Sequence, residues 1–260
     1  MIFQRISSLH KALLVSDLHL EPSRPDITSS FFSFLRSVHT RCNALFILGD
    51  LFDVWIGDDE ESELAASVAR ELHLLHDSGV DIHLMHGNRD FLIGAEFAAR
   101  CGAQLVEEPH ILELEMQRIV LLHGDVLCTR DSDYMEFRAM VREKSWQAEF
   151  CSRSLQDRQA YAEKARAQSK SATSAKSSDI MDVTPEEVLR LLEELGLSNM
   201  IHGHTHRPAV HELDLPFAVG GATQGRRVVL GAWDTQGWYC EVTEAGITLE
   251  QLPPHTQSAS

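Results

Sequence analysis

The sequence predicts an α/β protein, its sheets covered by helices on both faces, with a helical segment inserted in its second half. Three observations predict this. Short apolar runs alternate with amphipathic helical stretches through the first half. Five of the apolar runs end in a motif bearing Asp, Asn or His. Residues 129–178 then break the alternation with polar, helix-rich sequence. At 260 residues and 43% apolar content, the chain can bury the core that such an architecture needs.

The elements follow in order. Lys11 to Ser16 reads as a short apolar strand, and Ser29 to His39 as a helix with Phe31, Phe34, Leu35 and Val38 on one side. Ala44 to Leu48 is a second buried strand. Glu63 to Leu75 is a helix carrying Leu64, Val68, Leu72 and Leu75, ended near Gly79. Val80 to Met85 is the next strand and Ile93 to Arg100 the next helix. Ile111 to Glu115 and Arg118 to Leu122 form a hairpin around Gln117. Thr184 is placed to cap a helix over Pro185 to Leu195. Met200 and Ile201 lead into the last motif. Ala209 to Leu213, Arg227 to Leu230, Trp238 to Val242 and Ile247 to Leu252 read as short strands of a second sheet packed on the first. The expected organisation is a core of 1–128 and 179–252, a helical insertion of 129–178 and a loose tail of 253–260.

Charge divides the chain the same way. The formal net charge is −16, a poor basis for general nucleic-acid binding. The insertion holds ten Lys or Arg and seven Asp or Glu, a net of +3, leaving −19 on the remainder. That contrast suggests a surface facing an anionic ligand or a membrane; a solvated helical pair explains it equally well. Five cysteines without a CxxC pair fit a reducing cytosol. The start shows no signal peptide, and no apolar run approaches the roughly 20 residues of a membrane span.

The motifs are Asp17-Leu18-His19, Gly49-Asp50-Leu51-Phe52-Asp53, Gly87-Asn88-Arg89-Asp90, His123-Gly124-Asp125 and Gly203-His204-Thr205-His206. Together they can hold two divalent ions. A carboxylate has two oxygens, so Asp50 is suited to bridge both. Asp17 and His19 alternate with Leu18 and leave one face of an extended segment, and His204 and His206 repeat the arrangement. Asn88 offers a neutral oxygen and His123 a nitrogen. Mixed O and N donors favour Mn²⁺, Fe²⁺ or Zn²⁺ over Mg²⁺ or Ca²⁺. Two ions about 3.5–4 Å apart suit displacement at phosphorus. Each motif alone is weak; five in order, each after a strand, are not.

The pattern DxH…GDxxD…GNxD…HGD…GHxH resembles the calcineurin-like metallophosphoesterases from Asp17 to His206. The resemblance implies a β-sandwich flanked by helices. It implies one metal on Asp17, His19, Asp50 and His206, and a second on Asp50, Asn88, His123 and His204. Asn88, Arg89 and His123 take the catalytic positions. Many family members have His after the Asn of the third motif, where it helps protonate the leaving group. Here Arg89 stands in that place; it cannot give up a proton near neutral pH but can clamp phosphate oxygens. Diphosphate cleavage, with a weakly basic phosphate leaving, is therefore the expected reaction.

Longer strings narrow the resemblance: GDLFDVWIGDD, HGNRDFLIG, LLHGDVLCTRD, SSDIMDV, IHGHTHRPAVHEL and VVLGAWDTQG. They are similar to the branch that hydrolyses UDP-2,3-diacylglucosamine at the α-phosphorus in lipid A biosynthesis. That branch uses Mn²⁺, here two ions per chain, and works peripherally at the cytoplasmic face of the inner membrane. The likeness places substrate contacts at Asn88, Arg89, Asp131, Ser169, Thr173, Lys176 and His204. Tyr134, Phe137, Val141, Trp146 and Phe150 recur at helical spacing in the insertion. Such a stripe is more often core than ligand site, but two acyl chains must leave water on binding, and an apolar lid over the metals would bury them.

Asp53, Asp90 and Asp125 are expected to orient neighbouring His or backbone groups. His202 does likewise or simply packs. Asp58 and Asp59 read as a solvated turn, and His86 as structural. His39, His73, His76, His83 and His110 carry no assigned chemistry. Two further readings stay open: another metal-dependent phosphodiesterase or phosphatase of the same fold, and a non-catalytic binding scaffold. The filled ligand positions argue against the last.

Overall fold

The computed structural model describes residues 10–114, 117–175, 180 and 182–255, with backbone alone for 170–175. Strands β1 (Lys11–Val15), β2 (Ala44–Leu48), β3 (Asp81–Met85), β4 (Ala103–Val106), β10 (Gln236–Thr243) and β11 (Gly246–Pro254) form one sheet. Its order is β11-β10-β1-β2-β3-β4. β1 to β4 run parallel. The crossovers that parallel pairing requires are supplied by α1 (Pro25–Val38), α2 (Glu63–Asp77) and α3 (Ala95–Cys101). The second sheet joins β5 (His110–Leu114), β6 (Gln117–Leu122), β7 (Asn199–His202), β9 (Ala222–Val229) and β8 (Ala209–Val219), in that order.

Strand alternation builds the layers. Ala12 and Leu14 of β1, with Phe46, Leu121, Ile201 and Val228, face the opposite sheet and make the middle core. Leu13 and Val15 turn the other way, onto Phe31, Leu35, Val68 and Leu72 of the first helices. On the far side Val120, Leu122 and Met200 pack under Val188 and Leu192 of α7 (Pro185–Leu195). The result is the expected sandwich of two sheets with helices outside.

Several bounds differ from expectation for local reasons. α1 begins four residues earlier, since Pro25 can open a helix without an apolar face. β4 went unread because it is a four-residue edge strand with two exposed positions. β8 and β9 extend beyond Leu213 toward a turn at Gly220 and Gly221, whose φ values of 57° and 91° suit glycine. Thr184 caps α7 by position only; its hydroxyl accepts instead from Thr129 Oγ1 at 2.9 Å. The tail starts later than Pro253. β11 includes Pro254, and His255 N–H donates to the Thr235 carbonyl. Residues 256–260 lie outside the described residues.

Within 129–178 lie α4 (Ser132–Arg142), α5 (Lys144–Cys151) and α6 (Leu155–Ala175). Four of their arginines are tied to the body. Arg138 pairs with Asp125 (2.8 Å) and with Glu108. Arg142 donates to the Gly87 carbonyl at 2.9 Å and lies over the Phe91 ring. Arg158, 1% exposed, donates to the Ile56 carbonyl and pairs with Asp59. Arg166 pairs with Asp53. Much of the insertion's positive charge therefore fastens it to the acidic body. Asp58 and Asp59 are no solvated turn: Asp58 accepts from Gly94 N, Phe97 N and Trp55 Nε1, holding the start of α3, while Asp59 anchors α6. Trp146 and Phe150 stack at 4.9 Å and meet Tyr161, so this part of the apolar stripe is core of the insertion.

Candidate metal centre

All five motifs lie at the carboxyl ends of parallel strands, β1, β2, β3, β6 and β7, where α/β sheets leave room for ligands. Backbone hydrogen bonds knit the loops together: Asp17 N to Gly49 O, His19 N to Asp50 O, and Gly203 N to His123 O. The glycines permit this approach. A Cβ on Gly87 would lie 2.0 Å from Asp50 Oδ1, and one on Gly203 2.3 Å from Asp17 Oδ2.

Asp17 and His19 do not leave an extended segment. Asp17, His19, Asp50, His204 and His206 all adopt left-handed backbone, with φ from 46° to 66°. Each turns sharply out of its strand end and aims its side chain inward. Five non-glycine residues in this region, all in metal-ligand motifs, are strain concentrated at a site.

Two donor sets meet at Asp50. On one side His19 Nε2 lies 3.7 Å from Asp50 Oδ2, 4.0 Å from Asp17 Oδ1 and 3.2 Å from His206 Nε2. His206 Nε2 is 3.4 Å from Asp17 Oδ1. On the other side His123 Nε2 is 3.8 Å from Asp50 Oδ1, and Asn88 Oδ1 lies 2.9 Å from both His123 Nε2 and His204 Nδ1. Asp17, His19 and His206 are grouped closely enough to share an ion, as are Asp17, Asp50 and His123.

The local chemistry fits cations. Asp17 Oδ1 is buried without a hydrogen-bond partner. His123 Nδ1–H donates to the Leu48 carbonyl at 2.9 Å, so its Nε2 and Asn88 Oδ1 need a second proton or a cation between them. Burial pushes His19 down to about 3 and His204 to about 4, leaving neutral imidazoles with lone pairs for ligation. Burial pushes Asp50 up to about 7 against the pull of His123, with Asp90 and Asp17 adding like charge. Burial also disfavours charge on His123, but Asp50, Asp125, Asp17 and Glu108 raise it to about 9. Asp17 resists its own burial and, beside His206, His123 and His19, stays well below the usual carboxylate range. The pocket thus holds more buried carboxylate than its own side chains neutralise.

The surrounding acids have distinct duties. Asp90 accepts from Leu51 N (2.7 Å), Gly87 N (2.8 Å) and Asp50 N (3.2 Å), locking the second and third loops together. Asp53 Oδ1 lies 3.7 Å from His19 Nδ1. Asp125 accepts from Tyr134 and Arg138 of α4 and, among the described residues, from no histidine. Glu108, which the motifs did not reveal, accepts from His123 N at 3.0 Å. His202 Nδ1 contacts Gly203 O and its Nε2 contacts Arg227. His86 Nε2 contacts Ile93 O at 2.7 Å.

The expected substrate contacts fall in different places. Arg89 N donates to Asp50 Oδ1 at 2.8 Å, and its guanidinium has no hydrogen bond or ion pair among the described residues. Asp131 caps α4 through Tyr134 N. Ser169 is exposed on α6, and Thr173 lies on the same helix with its side chain outside the description. Lys176 lies outside the described residues. The insertion reaches the centre directly: the Tyr134 ring stacks on His204 at 6.0 Å, and Arg166 meets Asp53 beside His19.

The family profile for calcineurin-like phosphoesterases matches residues 10–208. A protein named UDP-2,3-diacylglucosamine hydrolase from Cellvibrio japonicus is 49% identical over 91% of this chain and 97% of its own length. Proteins of the same name from Marinobacter nauticus and Hahella chejuensis are 48% and 47% identical, over 89% and 92% of this chain and 93% and 96% of theirs.

Proposed function

The chain belongs to the calcineurin-like phosphoesterase family, and from that premise we propose that it hydrolyses the diphosphate of UDP-2,3-diacylglucosamine. Water attacks the α-phosphorus, giving UMP and 2,3-diacylglucosamine 1-phosphate for lipid A biosynthesis. The observation that carries this reading is Asp50 standing between two donor sets, in a chain 47–49% identical to proteins of that name.

Asp17, His19, Asp50 and His206 would hold one divalent ion, and Asp50, Asn88, His123 and His204 the other. The mixed donors suit Mn²⁺, Fe²⁺ or Zn²⁺, and of these we propose Mn²⁺. Such a pair, when bound, supplies Lewis-acid polarisation, an activated water and neutralisation of developing charge. The chain's own residues do the positioning. Leu48 O and Glu108 fix His123 from behind through Nδ1 and N. Asp90 fixes the loop that carries Asn88 and Arg89. The uncommitted Arg89 guanidinium clamps diphosphate oxygens bidentately. No proton need be given to the leaving group, because the sugar 1-phosphate leaves as a weak base.

α4 to α6 act as a lid that shelters the acyl chains, each buried CH₂ contributing about 0.8 kcal/mol. Half-buried Tyr134 and Phe137 and exposed Met140 and Leu155 supply apolar surface. Among the described residues no helix is long and apolar enough to cross a membrane. On this reading the enzyme works peripherally on its lipid substrate, at the cytoplasmic face of the inner membrane.

The test is product analysis from UDP-2,3-diacylglucosamine in ¹⁸O water, with and without Mn²⁺. Label in UMP, formed only with metal, is the expected result. Label in the sugar phosphate would overturn the attacked position. Faster turnover of a simple phosphomonoester would favour another phosphatase of this fold.

A further inference from the structure

A cavity of about 210 Å³ opens on the side of the last metal loop where none of α4 to α6 contributes. Its walls include Asp182, Thr205, Arg207, His211 and Arg227. Thr205 stands between His204 and His206, so the cavity begins one residue from two of the ligand positions. The volume is more than a single water or ion needs.

Its chemistry is that of a donor-rich recognition site. Arg227 is half-buried, and the group its guanidinium contacts is an imidazole, His202 Nε2 at 3.2 Å, which supplies no negative charge. Burial pushes the Arg227 pKa down, with Asp182 the main opposing charge. Thr205 Oγ1 is buried without a hydrogen-bond partner. Asp182 Oδ2 accepts from Arg207 at 2.7 Å and its Oδ1 from Val183 N at 2.8 Å, and its charge also acts on Arg227. Donor, acceptor, donor is the complement of a uracil edge, where an N–H stands between two carbonyl oxygens.

We infer that this cavity is the uridine subsite: Arg207 and Arg227 donate to the uracil carbonyls, Asp182 accepts from the ring N–H, and exposed His211 lies against the ring or ribose. The inference rests on the proposed diphosphate substrate. With the acyl half under α4 to α6 and the phosphates at the metal loops, the nucleoside half must leave by another flank, and this cavity provides one.

The experiment uses the Mn²⁺-loaded chain and measures binding of UMP and of ribose 5-phosphate to wild type, Arg227→Met and His211→Ala. The expected result is at least tenfold weaker UMP binding in Arg227→Met and several-fold weaker in His211→Ala. Ribose 5-phosphate, held by its phosphate, changes less than twofold. KM for UDP-2,3-diacylglucosamine rises with kcat retained, the mark of lost uniform binding. Unchanged UMP binding in both variants overturns the subsite, as does equal loss for UMP and ribose 5-phosphate, which would mark a plain anion site. His211 is exposed, so its variant keeps the test intact should Arg227→Met fail to fold. Wild type that binds UMP but releases none from the lipid substrate would instead defeat the proposed reaction.

Discussion

Asp17, His19, Asp50, His204 and His206 sit in backbone that costs non-glycine residues about 1–3 kcal/mol each, and the fold sustains all five. The residue types were readable from the motifs because only a few side chains ligate metals. The strained backbone was not, since alternation in a strand and successive left-handed turns leave the same one-residue spacing. Asp50→Ala is expected to lower UMP release more than about 10²-fold and to lose both ions by metal analysis, while circular dichroism stays native. His206→Ala is expected to lose one ion only. Retention of both ions by the Asp50 variant would remove it from the bridging position. A second residue bears on pH. His83 is 2% exposed, stacks on Phe46 at 4.3 Å and has neither ring nitrogen hydrogen-bonded. Burial pushes its pKa down to about 4. The unfolded chain therefore binds this proton first as pH falls through 6.5, and native stability drops from there down to about 4. Between pH 7 and 5 the loss from this group is about 2 kcal/mol. His83→Phe should flatten urea-unfolding stability over that interval by the same amount; an unaltered acid limb would show that other groups carry it.

The elements of the insertion illustrate what spacing conceals. The helix-rich composition and the apolar stripe were visible, but the helix bounds and the arginine ties were not, because Arg158 meets Asp59 across 99 positions and Arg138 meets Glu108 across 30. Net charge left a surface facing an anion or a membrane and a solvated helical pair equally open; instead four of the ten basic residues are tied inward to the body. Arg138 is the tie with most consequence. It joins α4 to Asp125 and to Glu108, and Glu108 in turn holds His123 N. Arg138→Met would leave two buried carboxylates without their cation, a class of change costing about 3–5 kcal/mol. The expected outcome is faster amide exchange over Ser132–Arg142 and weaker metal retention at the His123 side. Tyr134→Phe, which keeps the stack on His204 and removes one donor to Asp125, should cost about 1.5–3 kcal/mol. Equal exchange in wild type and Arg138→Met would show that α4 is held by other contacts.

At the scale of the whole molecule, the centre joins the two sheets at one end. Asp17, His19, Asp50 and Asn88 follow strands of the first sheet; His123, His204 and His206 follow strands of the second. Between the sheets the middle core is apolar apart from the buried His83 ring, so hydrophobic burial closes most of that part without help. At the loop end the balance is different. Asp17, Asp50, Asp90 and Asp125 are all buried, and Asp50 is pushed up to about 7. Cations that bind the native chain and not the unfolded one stabilise it by mass action, about 2.7 kcal/mol per site at a hundredfold excess over Kd. Chelator is therefore expected to lower the unfolding midpoint by several degrees and to speed amide exchange in the five loops of both sheets together, with Mn²⁺ restoring both. Asp50→Ala should already unfold lower and respond little to chelator, because the carboxylate that serves both ions is gone. A midpoint indifferent to chelator in wild type would mean that the loops are held by their own hydrogen bonds, and that metal occupancy contributes to chemistry but not to the closure of the sandwich.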